Sequence, residues 1–200
     1  MKKKKIKLLC LSLLTALAVS ATPVLATTNV SDSNLSTITT VDNQEVVRVH
    51  AKEVDVKKYN INNAPEQIIT QLKAVNVEMN STLEIYVSDT KADATTSLSA
   101  QSGAMFYSYQ AATGGIDAFD GNGNHYYANI YSDIVGYGHQ TSGSAVGTAQ
   151  VILCVNGYNI SIDTYFGTQT QGAVLDWQDK HGLMIDGIIG YNTWRSLIGK

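Results

Sequence analysis

The sequence contains almost no cysteine, which limits how its fold can be held together. Only Cys10 and Cys154 occur in 200 residues, and Cys10 lies in the leader segment described below. A single remaining thiol cannot form an internal disulfide, so the fold must be stabilised by packing alone. We predict that Cys154 is a small buried hydrophobic residue, because a reactive thiol needs a partner histidine and an electropositive setting.

Basic residues are also scarce, and this argues against two classes of partner. The chain has 14 Lys and Arg against 17 Asp and Glu. Five of the 14 precede residue 26, so removal of the leader leaves nine basic against 17 acidic residues, a net charge of −8. Nucleic acids and anionic membrane surfaces are bound largely through clusters of Lys and Arg. We therefore expect neither as a partner.

Residues 1–26 have the three parts of a secretory signal peptide. Lysines at positions 2–5 and 7 precede an apolar run over residues 8–19, and small or medium residues follow at 24–26. The run is shorter than the roughly 20 residues that span a bilayer. The sequence predicts a secreted protein with no membrane association after cleavage. Residues 27–44, rich in Ser, Thr, Asn and Asp, are predicted to be a disordered tether.

Short motifs for catalysis or metal binding are absent. The sequence has no HExxH pair and no Gly-x-Ser-x-Gly elbow, and residues 117–124 do not fit the alternation of a calcium loop. We predict no catalytic residue, no metal and no cofactor. A pair of carboxylates could still act in hydrolysis, and the candidates are Glu78, Glu84, Asp117, Asp120 and Asp133.

Residues 45–140 predict a β-rich domain with one helix. Apolar and polar residues alternate with the period of a strand, and Pro65 favours the start of a helix over residues 65–74. A glycine-rich turn at 120–124 predicts a hairpin. The predicted strands cover residues 47–52, 83–88 and 106–109 and the two arms of the hairpin, 116–119 and 126–134.

Six tyrosines are concentrated in the same region. Tyrosine is common on half-buried sheets, so packing on the strand faces is one interpretation. The other is an aromatic surface for a glycan or a protein partner. The six are Tyr107, Tyr109, Tyr126, Tyr127, Tyr131 and Tyr137.

A short pattern occurs twice near the end of the chain. The pattern Asp-x3-Gly-x2-Thr begins at Asp163 and again at Asp186, 23 residues later. Each copy continues into an amphipathic segment that contains one tryptophan, Trp177 or Trp194. A repeat at fixed spacing indicates one supersecondary unit used twice. Each unit is predicted to be a tight loop, opened by the Asp side chain, followed by a helix.

Two further features of this region are the start of the helix after the first loop and the secondary structure of residues 144–156. The helix after the first loop is predicted to have Thr168 as its N-cap, with Gln171 completing a capping box. Residues 144–156 share one apolar face, but the apolar run 151–155 would suit a buried strand equally well. If this segment is a helix, Val151, Ile152 and Val155 lie opposite the first face, and we predict that they pack on the β-rich domain.

Residues from about 144 to 199 resemble the type 1 peptidoglycan-binding-like module, a three-helix domain found on bacterial wall hydrolases and spore-cortex enzymes. The resemblance implies a helix over 145–156, and it covers just over a quarter of the chain. The matching residues are Val146, Ala149, Gln150, Leu153, Gly157, Tyr158, Asp163, Phe166, Gly167, Thr170, Ala173, Val174, Trp177, Gln178, Gly182, Leu183, Asp186, Gly187, Gly190, Thr193, Trp194 and Leu197.

The chain departs from the family pattern at two loop positions. The family usually has glycine after the first-loop Asp, where this chain has Thr164. Threonine disfavours a positive φ, so the first loop is predicted to differ in shape. The family often has proline after the second-loop glycine, where this chain has Tyr191.

The resemblance implies peptidoglycan as the ligand. For the two tryptophans among the candidates below, the alternative role is core packing. For the two aspartates, the alternative role is loop formation. The candidate ligand-binding residues are Asp163, Tyr165, Trp177, Asp186, Tyr191 and Trp194.

The sequence as a whole predicts an α+β protein: a β-rich N-terminal domain with one helix, then a three-helix module over 141–200. The predicted function is that of a secreted bacterial peptidoglycan-binding protein of the cell wall. One alternative is a peptidoglycan hydrolase with 45–140 as its catalytic domain, for which His125 and His139 would be tested. The other is an exported factor that binds a protein through the tyrosine-rich region.

Overall fold

A computed structural model describes residues 38–41, 44–47, 49–88 and 104–200. The predicted signal peptide and residues 27–37 of the predicted tether lie outside the described residues. At the end of the predicted tether, strand β1 (Ile38–Val41) pairs antiparallel with β2 (Gln44–Val47). These residues therefore differ from a disordered arm, because Ile38 and Val41 face Val47 and Gln44 across a short ladder.

The β-rich region is a five-stranded antiparallel meander, which confirms the α+β prediction. Its strands follow one another in chain order, so that each is joined to its neighbour and no crossover occurs. Asp120 shapes the predicted hairpin turn, since its Oδ1 accepts hydrogen bonds from the backbone N–H groups of Asn122 and Asn124 (2.9 Å each). The strands are β3 (Val56–Tyr59), β4 (Leu83–Ser88), β5 (Phe106–Gln110), β6 (Gly115–Phe119) and β7 (His125–Asn129).

One strand was predicted in the wrong place. Residues 49–51 are not a strand, although Val49 and Ala51 both pack against the hydrophobic core. His50 between them is also partly buried, with its Nδ1 2.6 Å from Asp176 Oδ1, so the segment is held by packing and by this contact, not by pairing in a ladder. The strand instead lies at Val56–Tyr59, where the two lysines in its middle hide the apolar pattern.

Helix α1 (Glu66–Ala74) covers one face of the sheet. Its buried residues Ile68 and Leu72 pack in one cluster with Leu83, Ile85 and Phe106 of the sheet. Pro65 directly precedes the helix, as predicted. The helix has nine residues and leaves part of the β6–β7 side of this face uncovered.

Three further helices form the C-terminal part: α2 (Ser144–Val155), α3 (Thr168–Lys180) and α4 (Tyr191–Leu197). The ambiguous segment 144–156 is thus a helix and not a strand. Within the described residues, no helix is long and apolar enough to cross a membrane.

Helix α2 is buried on nearly all sides because it lies between the other helices and the sheet. Val151, Ile152 and Val155 are completely buried and share one core with Tyr107 and Ile116 of the sheet. This confirms the prediction that the second apolar face of α2 packs on the β-rich region. Burial of each of these side chains stabilises the fold by about 1.5–3 kcal/mol.

The beginning of α3 corrects a further prediction. Gly167, and not Thr168, is the N-cap residue, and no side chain caps this end. Thr168 already belongs to the first turn, because the carbonyl oxygen of Gly167 accepts the N–H of Gln171 (3.0 Å).

Cys154 behaves as expected of a packing residue: its Sγ contacts the carbonyl oxygen of Ile160 (3.4 Å), and burial raises the pKa of the thiol to about 11.

Candidate functional site

The first repeat loop (loop 1, residues 163–167) is held by a glutamine from the preceding helix. The Nε2 of Gln150 contacts Asp163 Oδ1 (2.8 Å), the carbonyl oxygen of Tyr165 (2.9 Å) and Thr170 Oγ1 (3.2 Å). Its Oε1 accepts the N–H of Thr164 (2.9 Å). The Oδ1 of Asp163 also accepts the N–H of Tyr165 (2.9 Å). One buried amide therefore satisfies most polar groups of the loop.

The second repeat loop (loop 2, residues 186–190) has the same hydrogen bonds. Gln178 Nε2 contacts Asp186 Oδ1 (2.8 Å), the carbonyl oxygen of Ile188 (2.9 Å) and Thr193 Oγ1 (3.2 Å). Gln178 Oε1 accepts the N–H of Gly187 (2.8 Å), and Asp186 Oδ1 accepts the N–H of Ile188 (2.9 Å). In both loops the aspartate Oδ1 is thus engaged inside the loop, which is the loop-forming alternative.

The two loops also share a backbone conformation, which overturns one expectation. Thr164 has a φ of 64°, close to the 70° of the equivalent Gly187. We expected loop 1 to differ in shape because threonine disfavours this region. The hydrogen bonds from Gln150 instead hold Thr164 in the left-handed conformation, in which a β-branched residue is strained.

Both tryptophans are packing residues in this structure. Trp177 is largely buried, donates its Nε1–H to Ser196 Oγ on α4 (3.0 Å) and stacks on His181 with ring centroids 3.8 Å apart. Trp194 is completely buried, and its Nε1–H is donated to the carbonyl oxygen of Asp133 (2.8 Å). Ligand contact by the Trp194 ring would require this core to open.

The two candidate tyrosines lie on the surface. Tyr165 in loop 1 is 66% exposed, and Tyr191 at the beginning of α4 is 46% exposed. Tyr191 stacks on Tyr131 with ring centroids 5.7 Å apart, and Arg195 lies 5.7 Å from the Tyr191 ring centre on α4. These rings are available for contact with a ligand.

The tyrosine-rich region divides between the two interpretations. Tyr107 and Tyr109 are buried on the sheet, whereas Tyr127, Tyr131 and Tyr137 are exposed. Sequence reasoning grouped Tyr131 and Tyr137 with sheet tyrosines and did not place them beside the repeat loops. The segment that carries them, residues 130–143, follows β7 and runs along both loops.

A cleft of about 340 Å³ lies beside α1, on the part of the same sheet face that this helix leaves uncovered. In it, His125 Nε2 and Asp117 Oδ1 are 2.8 Å apart. Burial raises the pKa of Asp117, and the hydrogen bond with His125 opposes that effect. Gln110 and Tyr127 also line the cleft, and His139 does not. The hydrolase alternative requires a carboxyl group and a proton-transfer partner in the β-rich region, and Asp117 and His125 form such a pair.

Three of the other four candidate carboxylates have structural partners, and the fourth, Glu78, lines the same cleft as Asp117. Asp120 holds the hairpin turn, and Asp133 Oδ2 accepts the N–H of Asn129 (2.7 Å). Glu84 pairs with Lys58 and Lys200. Over the part of the chain that the structure describes, no group of three or more His, Cys, Asp or Glu is arranged to hold a metal ion.

Residues 142–197 match the family described as "Putative peptidoglycan binding domain". No curated protein matches the chain. Among solved structures, a peptidoglycan-binding protein from Clostridioides difficile, in complex with glutamine hydroxamate, is 29% identical over 70% of this chain and 89% of that chain, with a TM-score of 0.41. This match confirms the resemblance that the sequence predicts for the C-terminal part of the chain.

Proposed function

We propose that the protein is an exported cell-wall protein whose C-terminal module binds peptidoglycan through loops 1 and 2. The observation that carries the proposal is the family match over 142–197, which spans both loops and their helices. Two exposed tyrosine rings lie at these loops: Tyr165 within loop 1, and Tyr191 directly after loop 2 at the beginning of α4. Because these loops are internally satisfied, the backbone beside both rings is held in place before a ligand arrives.

Contact by aromatic rings, and not charge attraction, drives binding in this proposal. The full sequence has a net charge of −3, and loss of residues 1–26 would make it more negative. Long-range attraction to an anionic wall is therefore not available. Tyrosine offers a flat apolar face for a sugar ring and a hydroxyl for hydrogen bonding.

The test is co-sedimentation of the purified protein with isolated wall sacculi. Tyr165→Ala and Tyr191→Ala should each weaken binding roughly three- to tenfold. Gln67→Ala is the control, because Gln67 is an exposed, uncharged residue of α1 that lies outside both repeat loops and outside the cleft. If neither loop variant differs from the control, the loops are not the binding surface. A wild-type protein that stays in the supernatant would refute wall binding itself.

Export depends on residues 1–26 and is tested separately. N-terminal sequencing of the protein recovered outside the cell should begin shortly after Ala26. A protein recovered with its lysine-rich start intact would contradict cleavage.

A peptidoglycan hydrolase is the second candidate, and the Asp117–His125 pair in the cleft is the observation that favours it. A half-buried carboxyl with a raised pKa next to an imidazole is a combination used in acid–base catalysis. Loss of turbidity of a wall suspension, abolished by Asp117→Asn and by His125→Ala, would support this activity. Sacculi that stay intact with wild-type protein would leave the module as a binding domain alone.

A further inference from the structure

Three large apolar side chains are exposed on the segment 130–143, mostly outside the family match. Tyr131 is 61% exposed, Tyr137 is 47% exposed, and Ile134 lies between them. Exposed apolar groups that cluster on one surface indicate a site of contact, whereas single ones need no explanation. These three lie within seven residues of one another, directly beside the repeat loops.

The beginning of this segment is fixed to loop 2. Val135 and Ile189 exchange two backbone hydrogen bonds, of 3.1 and 2.8 Å. Gly136 packs so closely that a Cβ at this position would lie 3.1 Å from the carbonyl oxygen of Gly187. The Tyr131–Tyr191 stack adds a side-chain contact between the segment and the beginning of α4.

The end of the segment is fixed to loop 1. The N–H of Phe166 is donated to the carbonyl oxygen of Thr141 (2.8 Å), and the N–H of Gly143 to that of Thr164 (2.9 Å). The ring of Tyr137 meets that of Phe166 edge to face, with centroids 5.6 Å apart. The segment therefore connects the two loops, and both of its tyrosines are positioned by residues of the module.

We propose that the binding surface is composite: a tyrosine strip that runs from Tyr191 and Tyr131, along Ile134 and Tyr137, to Tyr165, and that takes an extended glycan strand. This inference rests on the proposed function. It adds that residues outside the family match contribute to binding, so that the sheet region supplies part of the ligand contact.

The shape and chemistry of the strip favour a glycan over a stem peptide. The strip reaches from the Tyr131–Tyr191 stack beside loop 2 to Tyr137 beside loop 1, and a series of aromatic rings suits a linear chain of sugar rings. Each sugar ring can stack on a tyrosine ring while the sugar hydroxyls form hydrogen bonds with phenolic oxygens. Neither contact depends on net charge. A protein partner, the other occupant of an aromatic surface, is an outcome that the test distinguishes.

The test compares three ligands: intact sacculi, glycan strands freed of their peptides, and the released stem peptides. The full chain should bind sacculi and free glycan strands and should bind longer strands more tightly than short ones. Tyr131→Ala and Tyr137→Ala should each weaken binding to free strands roughly three- to tenfold. Tyr131→Phe should keep affinity within about twofold, because it retains the ring.

Gln67→Ala is again the control, and the melting temperature of each variant shows whether it is folded. If Tyr165→Ala weakens binding but folded Tyr131→Ala and Tyr137→Ala do not, the composite strip is wrong and the proposed function stands. Binding to stem peptides and not to free strands would refute the glycan assignment. A wild-type protein that binds neither sacculi nor strands refutes the proposed function and leaves the strip as a surface for a protein.

Discussion

Replacing Thr164 by glycine should stabilise the protein, although it removes a side chain. Thr164 has a φ of 64°, and its equivalent in loop 2 is Gly187, with a φ of 70°. A residue with a Cβ loses roughly 1–2 kcal/mol in the left-handed region. Glycine loses roughly 0.5–1 kcal/mol more backbone entropy on folding. The difference predicts that Thr164→Gly raises the free energy of unfolding by about 0.5–1 kcal/mol.

The reverse change in loop 2 should have the opposite sign. A Cβ on Gly187 would lie 3.4 Å from Gln171 Cγ and from Leu175 Cδ2, which is ordinary contact. The left-handed conformation costs threonine roughly 1–2 kcal/mol, and loss of glycine's extra backbone entropy offsets roughly 0.5–1 kcal/mol of it, so Gly187→Thr should lower the free energy of unfolding by about 0.5–1 kcal/mol. The two loops share the hydrogen bonds from their glutamines and differ in which residue occupies the left-handed position, Thr164 or Gly187.

Urea unfolding, followed by circular dichroism, measures both changes, and the melting temperature should move by roughly 2–4 °C per kcal/mol. Thr168→Gly is the matched control, because the same substitution in the first turn of α3 should lower stability. If Thr164→Gly is no more stable than wild type, or if Gly187→Thr is neutral, the strain argument is refuted.

Three further outcomes can be measured. Gly147→Ala should lower the free energy of unfolding by about 1–3 kcal/mol, because its Cβ would lie 2.5 Å from the ring of Tyr126 between α2 and the sheet; an unchanged urea midpoint would contradict this packing. Burial would raise the pKa of Glu84, but hydrogen bonds led by those from Lys200 and Lys58 outweigh it and lower the pKa from 4.5 to about 2. A lowered folded-state pKa contributes stability above pH 4.5, and this stability is lost as the pH falls towards 2. The free energies of unfolding of wild type and Glu84→Gln should therefore differ by about 1 kcal/mol at pH 7, and the difference should vanish over that range. A difference that does not depend on pH would refute the ion pairs as its cause. Raising salt from about 0.05 to about 0.5 M should leave sedimentation with sacculi unchanged or improved, since only repulsion is screened, and a sharp loss would indicate binding by charge.

The C-terminal helices could be predicted because their sequence signals act locally. The Asp at the beginning of each loop and the glycine at its end determine the turn, and the apolar stripe that follows determines the helix. Segment 144–156 could not be assigned from its own pattern, since α2 is buried on nearly all sides and shows no period. Only the resemblance to a helical family decided it correctly.

The tyrosine strip could not be predicted because it depends on contacts distant in sequence. Tyr131 and Tyr137 follow β7, yet they lie against Tyr191 and Phe166 of the module. No local period distinguishes a tyrosine on a strand face from one on a connecting segment. The hydrogen bonds between Val135 and Ile189 that place the segment are backbone contacts, which leave no mark on residue type.

The glutamines that hold the loops show why a fixed-period search finds only part of a repeated unit. Asp163 lies 13 residues after Gln150, whereas Asp186 lies eight residues after Gln178. The aspartates keep the period of 23 because each begins the loop that leads directly into the next helix. The glutamines do not, because each reaches the loop through space from the helix before it, and the connection between that helix and the loop is free to change length. What the two units share is therefore the position of one amide relative to one loop, and this can be maintained without any constant spacing along the chain.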